Sequence, residues 1–278
     1  MYLKSFFFAD TDKDVYPHTV MTQKDLGQVE FAPVTIFYGG NGSGKSTILN
    51  VIARSIGVRR MSEGNTSDYF HSYTRLCNYE SLGGIYSHNS CFIRSEDIME
   101  EILDIRQTNQ DITAKTYKDA DFLDDYVDGL SDRFRDPDLM EPWERSLIAR
   151  LDDGHRLLRA LWSRKDQFSN GESSMRHFRH LANNTLYFLD EPENSLDAIH
   201  QQNLADLIED HVRNSNGQFI IATHSPFLMA MEGAKVIDLD SSPAVERPWY
   251  DLPNIIAYFD FFRKNSAKFR QSNSNAKK

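Results

Sequence analysis

Three short apolar runs mark the predicted core of the chain. They cover Val34–Tyr38, residues 185–189 and Gln218–Ala222, and all are rich in β-branched and aromatic side chains. Runs of this length and composition are typical of parallel strands buried on both faces. Residues 47–53 carry apolar side chains at helical spacing directly after the first run. The pattern therefore predicts an α/β fold built on a parallel sheet.

Length and composition limit the classes of protein that fit. The 278 residues suit one large domain, and the 40% apolar fraction suffices for a substantial core. No run of about 18 apolar residues occurs, and the first residues lack the pattern of a signal peptide. Cys77 and Cys91 do not form a C-x-x-C pair. We expect a cytoplasmic protein with no direct membrane insertion.

The formal net charge of −10 disfavours a broad electrostatic grip on nucleic acid. Two basic groups run against this trend, one at Arg54, Arg59 and Arg60 and one in the tail, residues 263–278. The tail mixes Lys and Arg with Ser, Asn and Gln, so its end is predicted to be disordered. Both groups are interpreted first as solvated surface, with nucleic-acid contact as the alternative.

Residues 39–46 read Gly-Gly-Asn-Gly-Ser-Gly-Lys-Ser, which matches the phosphate-loop pattern G-x-x-x-x-G-K-[ST]. The loop lies between a predicted strand and a predicted helix. Its glycines permit positive φ angles, so that backbone N–H groups point at phosphate oxygens next to the positive end of the helix. We expect Lys45 to contact the β- and γ-phosphates and Ser46 to bind Mg²⁺. The sequence therefore predicts binding of a nucleoside triphosphate.

Polar side chains follow the other two predicted strands. Asp190 and Glu191 end the run 185–189, and His224 follows Gln218–Ala222. Ligands gather at the carboxyl ends of parallel strands, where these side chains would be neighbours. Asp190 is predicted to hold Mg²⁺ beside Ser46, and Glu191 to orient or deprotonate the attacking water. A neutral His224 would hydrogen-bond the γ-phosphate or that water.

Residues 169–173, Ser-Asn-Gly-Glu-Ser, precede a predicted helix. A Ser-x-Gly turn at a helix N-terminus offers a hydroxyl and free N–H groups to an anion, although an ordinary helix cap explains it equally well.

With these segments the chain resembles the ATP-binding-cassette (ABC) ATPases. More narrowly, it resembles the small stand-alone ATPases of the SMC, RecF and OLD-like branch, often called AAA-family ATPases. Residues 39–47 match the Walker A motif, 169–173 the signature motif, 189–197 the Walker B and D-loop block, and 223–226 the switch-histidine segment. The resemblance covers roughly residues 1–262 and implies an α/β P-loop NTPase of ABC type with a helical subdomain.

The resemblance implies ATP and Mg²⁺ as ligands. Lys45, Glu191 and His224 become the catalytic residues, and Ser46, Asp190 and Glu96 the metal-binding residues, Glu96 standing at the usual Q-loop glutamine with Gln107 as second choice. The remaining nucleotide-contacting residues are Gly39, Gly40, Asn41, Gly42, Ser43, Gly44, Thr47, Ser169, Asn170, Gly171, Glu172 and Asp197. The adenine-stacking residue is not identified; Tyr16 is a guess.

In such ATPases two cassettes sandwich two ATP molecules. The resemblance therefore implies a homodimer, or pairing with a related cassette, in which the signature residues contact the nucleotide of the partner and Asp197 ties the two sites together. Asn170 and Glu172 depart from the commoner Gly and Gln of transporters.

The domain organisation predicted is one ABC-type domain over residues 1–278. Its nucleotide-binding core comprises 1–96 and 181–262, and a helical subdomain with the signature motif covers 97–180. No heptad repeat persists there, so no coiled-coil arm is expected. Residues 60–90 are polar and predict a surface loop.

Three hypotheses describe what hydrolysis drives. The first is a DNA-linked role in repair or in defence against foreign DNA, with DNA and an effector or nuclease protein as candidate partners. The second is the energising subunit of a transporter, and the third a nucleotide-gated scaffold for protein assembly. The sequence does not rank the first above the third.

Overall fold

The computed structural model describes residues 2–10, 16–60, 67–82, 90–100, 103, 170–179 and 181–269. The strands are β1 Leu3–Phe7, β2 Gln28–Glu30, β3 Val34–Tyr38, β4 Arg59–Arg60, β5 Asn78–Ser81, β6 Ser90–Arg94, β7 Leu186–Asp190, β8 Gln218–Ala222, β9 Lys235–Asp238 and β10 Val245–Glu246. The helices are α1 His18–Lys24, α2 Lys45–Ile56, α3 Asp68–Thr74, α4 Asn170–Phe178, α5 Ala198–Asn214, α6 Pro226–Met229 and α7 Pro253–Lys264. Residues 95–100 and 266–269 are also helical, and Trp249–Asp251 form a 3₁₀ turn.

The main sheet has seven strands in the order β10-β9-β3-β8-β7-β6-β4. All pairs are parallel except β10 with β9. Every residue of β3, β7 and β8 is buried, as the continuous apolar runs predict. The strand β8 pairs with β3 on one side and β7 on the other, so the ends of all three lie side by side. The α/β fold class is confirmed.

Helix α2 covers the sheet with an apolar face. Its side chains Ile48, Leu49, Val51 and Ile52 are fully buried, in one cluster with Phe188 and other strand residues. The helix ends at Ile56, and Gly57 follows it with a φ of 80°, a left-handed conformation that favours glycine. This packing fixes the start of α2, and hence Lys45 and Ser46, against the sheet.

A second, antiparallel sheet has the order β2-β1-β5. The side chain of Gln218, at the start of β8, joins it to the main sheet. Its Oε1 accepts hydrogen bonds from the backbone N–H groups of Tyr2 and Leu3 at 2.6 and 2.7 Å, and its Nε2 donates to the Leu3 carbonyl at 2.8 Å. Gln218 is completely buried, so its amide substitutes for water at the edge of β1.

The loop predicted over residues 60–90 is corrected in part. Helix α3 and strand β5 lie inside it. Phe70 and Tyr73, three residues apart, turn the same face of α3 into the core, and the Ser67 hydroxyl caps the helix by accepting from the Phe70 N–H. Two buried aromatic side chains thus outweigh the polar composition around them.

The chain divides into two compact units, residues 1–98 with 174–278 and residues 99–173. Most of the predicted helical subdomain, with Gln107, lies outside the described residues. Helix α7 enters the predicted tail, since it ends at Lys264 and 266–269 are again helical. In the described part of the chain no helix is long and apolar enough to cross a membrane.

Candidate nucleotide-binding and catalytic site

The loop 39–44 joins β3 to α2 and requires glycine at several positions. Gly42 and Gly44 have φ angles of 79° and 97°, in the left-handed region. A Cβ atom on Gly44 would lie 2.4 Å from Val20 Cγ1, and one on Gly39 would lie 2.5 Å from Ser43 Oγ. The backbone at Gly39 and Gly44 can therefore lie this close to Ser43 and Val20 only because these two positions carry no side chain. Asn41 and Gly42 are exposed at the tip of the loop.

Lys45 lies under this loop, and only 4% of the residue is exposed. Its Nζ donates to the carbonyl oxygens of Gly39 and Gly40 at 2.8 and 3.2 Å. The same atom lies 3.5 Å from Glu191 Oε1. The ammonium group is thus held inside the loop, next to the carboxylate that follows β7.

Ser46 and Asp190 meet at the carboxyl end of β7. The Ser46 hydroxyl donates to Asp190 Oδ1 at 2.9 Å. The pKa of Asp190 is raised to about 6, mainly by burial and also by the charges of Glu191 and Glu96, against the opposing effects of Ser46 and Lys45. The charge of Lys45 offsets the burial of the Asp190 carboxylate only in part. A bound divalent cation would stabilise the ionised carboxylate further.

This pair fits Mg²⁺, which binds in NTPases through one or two protein oxygens, substrate phosphates and waters. Among the described residues no group of three or more His, Cys, Asp and Glu side chains forms an all-protein metal cage. Glu96 is exposed, and its described link to this pair is its effect on the pKa of Asp190. Its role as a metal-binding residue stays a prediction.

Glu191 has a strained backbone and several partners. Its φ is 49°, rare for a residue with a side chain, and its N–H donates to the Ala222 carbonyl at 2.8 Å. Its Oε1 lies 3.0 Å from His224 Nε2, and its Oε2 accepts from Asn194 Nδ2 at 3.0 Å. The backbone turn thus aims the carboxylate across the strand ends, toward Lys45 and His224.

These contacts decide the charge state of Glu191. Burial raises its pKa, but the hydrogen bond from Asn194 and the charges of Lys45 and His224 outweigh that effect, so the pKa lies below its ordinary value. Glu191 is therefore ionised at neutral pH, while its neighbour Asp190 holds a proton more readily. Adjacent carboxyl groups acquire different acidities from their different directions off the strand.

The segment after Glu191 leads into helix α5. Asp197 caps this helix, since its Oδ1 accepts from the His200 N–H at 2.8 Å. Its side chain is 63% exposed. The preceding Ser195 hydroxyl lies 2.9 Å from that of Ser174 on α4.

The predicted signature residues are described only in part. Asn170, Gly171 and Glu172 form the first turn of α4, so the helix begins inside the segment 169–173 and not, as was predicted, after it. Ser169 and the side chain of Asn170 lie outside the described residues. Their contact with nucleotide stays a prediction.

Two residues that contact the loop or the helix after it, Asp240 and Tyr16, lie outside the sequence motifs. The Gly40 N–H donates to both carboxylate oxygens of Asp240, at 2.8 and 3.0 Å, so Asp240 pins the first turn of the loop from the end of β9. Its sequence signal is weak, because it follows an ordinary strand. Tyr16, guessed from its position, has its hydroxyl 3.3 Å from Thr47 Oγ1, and its ring stacks on Phe70 with 6.0 Å between centroids.

Solved structures similar to this chain include two SMC head domains. One, from Pyrococcus furiosus, has an extended coiled coil and is bound to the C-terminal domain of ScpA; it is 14% identical, with 93% of this chain and 99% of that chain covered and a TM-score of 0.40. The other, from Thermotoga maritima, is also 14% identical, with coverages of 89% and 99% and a TM-score of 0.40. Likenesses this distant say nothing about substrate or partner. No curated protein matches the sequence.

Residues 85–230, more than half of the chain, match the family described as "AAA domain, putative AbiEii toxin, Type IV TA system". The matched region contains β6, the Asp190–Glu191 pair and His224. The phosphate loop lies outside it and supplies independent evidence of the same fold. The chain therefore belongs to this AAA-domain family.

Proposed function

We propose that the protein hydrolyses ATP to ADP and phosphate in the presence of Mg²⁺. The observation that carries the proposal is the meeting of Lys45, Ser46, Asp190, Glu191 and His224 at one edge of the sheet, each within 3.5 Å of another member. Phosphoryl transfer needs positioning and charge stabilisation rather than covalent help from the protein. This set of side chains supplies both.

Each residue has a role in this proposal. The backbone N–H groups of the loop and the Lys45 ammonium bind the phosphates, and Ser46 and Asp190 hold Mg²⁺. When bound, the ion neutralises charge on the phosphate oxygens. The ionised Glu191 accepts a hydrogen bond from the attacking water and orients it toward the γ-phosphate. His224, whose Nε2 lies 3.0 Å from Glu191 Oε1, steadies that carboxylate, and a ring N–H of the imidazole would donate to the γ-phosphate.

The adenine base would stack on Tyr16. Its ring is 42% exposed, and its hydroxyl reaches Thr47 at the start of α2. An exposed aromatic face beside the phosphate loop suits a purine.

We further propose that ATP closes a dimer of two such domains. Ser169, Asn170, Gly171 and Glu172 of one copy would contact the γ-phosphate bound by the other, and the exposed Asp197 would meet the partner's site. Closure then depends on the γ-phosphate, because hydrolysis removes the contacts that distinguish the closed state.

The role we propose for this dimer is defence against foreign DNA, or DNA repair, with an effector or nuclease partner. The family description names a toxin of a Type IV TA system, which supports action with an effector and does not mention DNA. The second candidate, a nucleotide-gated scaffold for protein assembly, is favoured by the net charge of −10. The transporter hypothesis has no supporting observation in the described residues.

ATP turnover with and without double-stranded DNA separates these roles. Phosphate release should require Mg²⁺ and stop with EDTA. Stimulation by DNA would support the DNA-linked role, whereas turnover that ignores DNA would favour the protein scaffold. Absence of Mg²⁺-dependent turnover under every condition would contradict the proposed activity itself.

A further inference from the structure

Glu193 is a buried carboxylate for which the proposed ATPase chemistry names no task. It lies two residues after Glu191, and only 8% of it is exposed. Its Oε1 accepts two hydrogen bonds, one from the Thr223 hydroxyl and one from the His224 backbone N–H, both at 2.6 Å. Two hydrogen bonds this short to one oxygen fix the positions of both donors. Glu193 therefore grips the turn that carries His224.

The rest of this turn is fixed by the same network. Since the Thr223 hydroxyl donates to Glu193, its oxygen is free to accept, and it accepts the Ser225 N–H at 2.9 Å. The Ser225 hydroxyl in turn donates to Gln201 Oε1 at 2.8 Å. Three consecutive residues thus take their orientation from contacts that begin at one carboxylate oxygen.

The other oxygen of Glu193 is expensive to bury. Its Oε2 is inaccessible to solvent, and no donor among the described residues lies within hydrogen-bond distance. A buried polar oxygen without a hydrogen-bond partner costs free energy. The carboxylate gives up stability at a place where the strength and direction of its two bonds matter.

Glu193 also touches the segment that leads to Asp197. Its carbonyl oxygen accepts the Leu196 N–H at 2.9 Å, and the Leu196 carbonyl accepts from Gln201 Nε2 at the same distance. Gln201 is the residue that Ser225 contacts. The turn with His224 and the turn before Asp197 are therefore held by a single closed ring of hydrogen bonds.

We propose that Glu193 is a positioning residue for hydrolysis, which sets His224 by its backbone N–H so that the imidazole Nε2 meets Glu191. The inference rests on the proposed ATPase activity. Through the ring of hydrogen bonds, Glu193 also connects His224 to the D-loop segment that ends at Asp197. In this role Glu193 acts through His224 and not on the nucleotide.

A double-mutant cycle tests this coupling. kcat and KM for ATP are measured for the wild type, Glu193→Ala, His224→Ala and the double variant. Displacing a catalytic group by about 1 Å costs about a hundredfold in rate, so we expect Glu193→Ala to lower kcat by about tenfold to a hundredfold. KM should change by less than about threefold, because the phosphate loop is untouched.

The double variant is decisive. If Glu193 acts through His224, removing both should slow turnover no more than about twofold beyond the slower single variant. If Glu193 only supports the fold, the two losses multiply, and the inference is overturned. A Glu193→Ala enzyme with unchanged kcat overturns it as well.

Two milder variants keep the test available if Glu193→Ala does not fold. Glu193→Gln retains the acceptor oxygen and should recover kcat to within about fivefold of the wild type, since its amide still accepts from both donors. Thr223→Val removes one hydrogen-bond donor to Glu193 and leaves the bond from the His224 N–H. Its kcat should therefore fall less than that of Glu193→Ala, and Thr223→Val should not lower kcat further in a His224→Ala background. Additive losses for Thr223→Val would contradict the inference.

Failure of the inference is distinguishable from failure of the proposed function. Failure of the proposed function would show as a wild type without ATP turnover. A His224→Ala enzyme as fast as the wild type would leave that activity intact and overturn the roles of His224 and Glu193. A slow His224→Ala enzyme with an additive cycle leaves the ATPase intact and removes only the role of Glu193.

Discussion

At the scale of single residues, the burial of Asp190, the proposed Mg²⁺ ligand, lowers the stability of the folded protein. Burial raises its pKa from 3.8 to about 6, with contributions from Glu191 and Glu96. Between these values the folded protein binds a proton more tightly than the unfolded chain, so stability falls as the pH rises through this window. At neutral pH the full cost is present, on the order of 1–3 kcal/mol.

Replacing Asp190 with Asn should therefore stabilise the protein while abolishing Mg²⁺-dependent turnover. At about 2–4 °C per kcal/mol, we expect the melting temperature at neutral pH to rise by several degrees in buffer without Mg²⁺ and nucleotide. The difference from the wild type should narrow as the pH is lowered toward about 5, where the wild-type carboxyl becomes protonated. A variant that melts below the wild type at neutral pH would contradict this interpretation of the buried carboxylate.

Residues within the motifs could be predicted from the sequence because their spacing is fixed by local chemistry. Lys45 and Ser46 follow a glycine loop, and Glu191 and His224 end apolar strands. Asp240 could not be found in this way, because its contact with Gly40 joins positions 200 residues apart. Such a contact exists only once β3 and β9 have paired.

At the scale of the elements, Gln218 ties the two sheets together through the backbone of Tyr2 and Leu3. Gln218→Leu would remove three hydrogen bonds to backbone groups, two of them buried and one partly buried, at about 1–3 kcal/mol each. We expect the melting temperature to fall by about 6 °C or more. Gln202→Leu on the exposed face of α5 is the matched control and should change little.

Thermal unfolding monitored by circular dichroism measures both variants. An unchanged melting temperature for Gln218→Leu would show that β1 does not depend on this side chain. Because Gln218 lies far from the nucleotide at the opposite end of β8, the folded variant should still bind ATP.

The central strands were predictable, and the second sheet was not. Strands β3, β7 and β8 are recognisable in the sequence as continuous apolar runs, because both of their faces are buried. Strand β5 is exposed along its length and pairs with β1 across more than 70 residues of chain. Nothing local distinguishes such a segment from a loop, which is why residues 60–90 were predicted as one.

For the whole molecule, the proposed sandwich dimer predicts that the signature motif acts on the partner's nucleotide. Ser169→Arg should block ATP-dependent dimerisation through bulk and charge at the γ-phosphate. Light scattering after size exclusion would show this most clearly in a Glu191→Gln background, where unhydrolysed ATP keeps the dimer closed. Ser81→Arg on the exposed strand β5 serves as the control and should dimerise normally.

A Ser169→Arg protein that still dimerises with ATP and hydrolyses it at the wild-type rate would rule out the sandwich. The Ser169→Arg monomer should bind ATP whether or not it dimerises. Ser169 belongs to the unit of residues 99–173, whereas the phosphate loop and Asp190 belong to the unit of residues 1–98 and 174–278.

The proposed catalytic site is tested best by comparing ATP turnover and ATP binding for the wild type and Glu191→Gln. The amide keeps the shape of Glu191 but cannot bear the charge that orients water, so turnover should fall by about a hundredfold or more while affinity for ATP is retained. Lys45→Ala, the companion variant, should lose binding instead. Full turnover by Glu191→Gln would contradict the assignment of this strand end as the catalytic site.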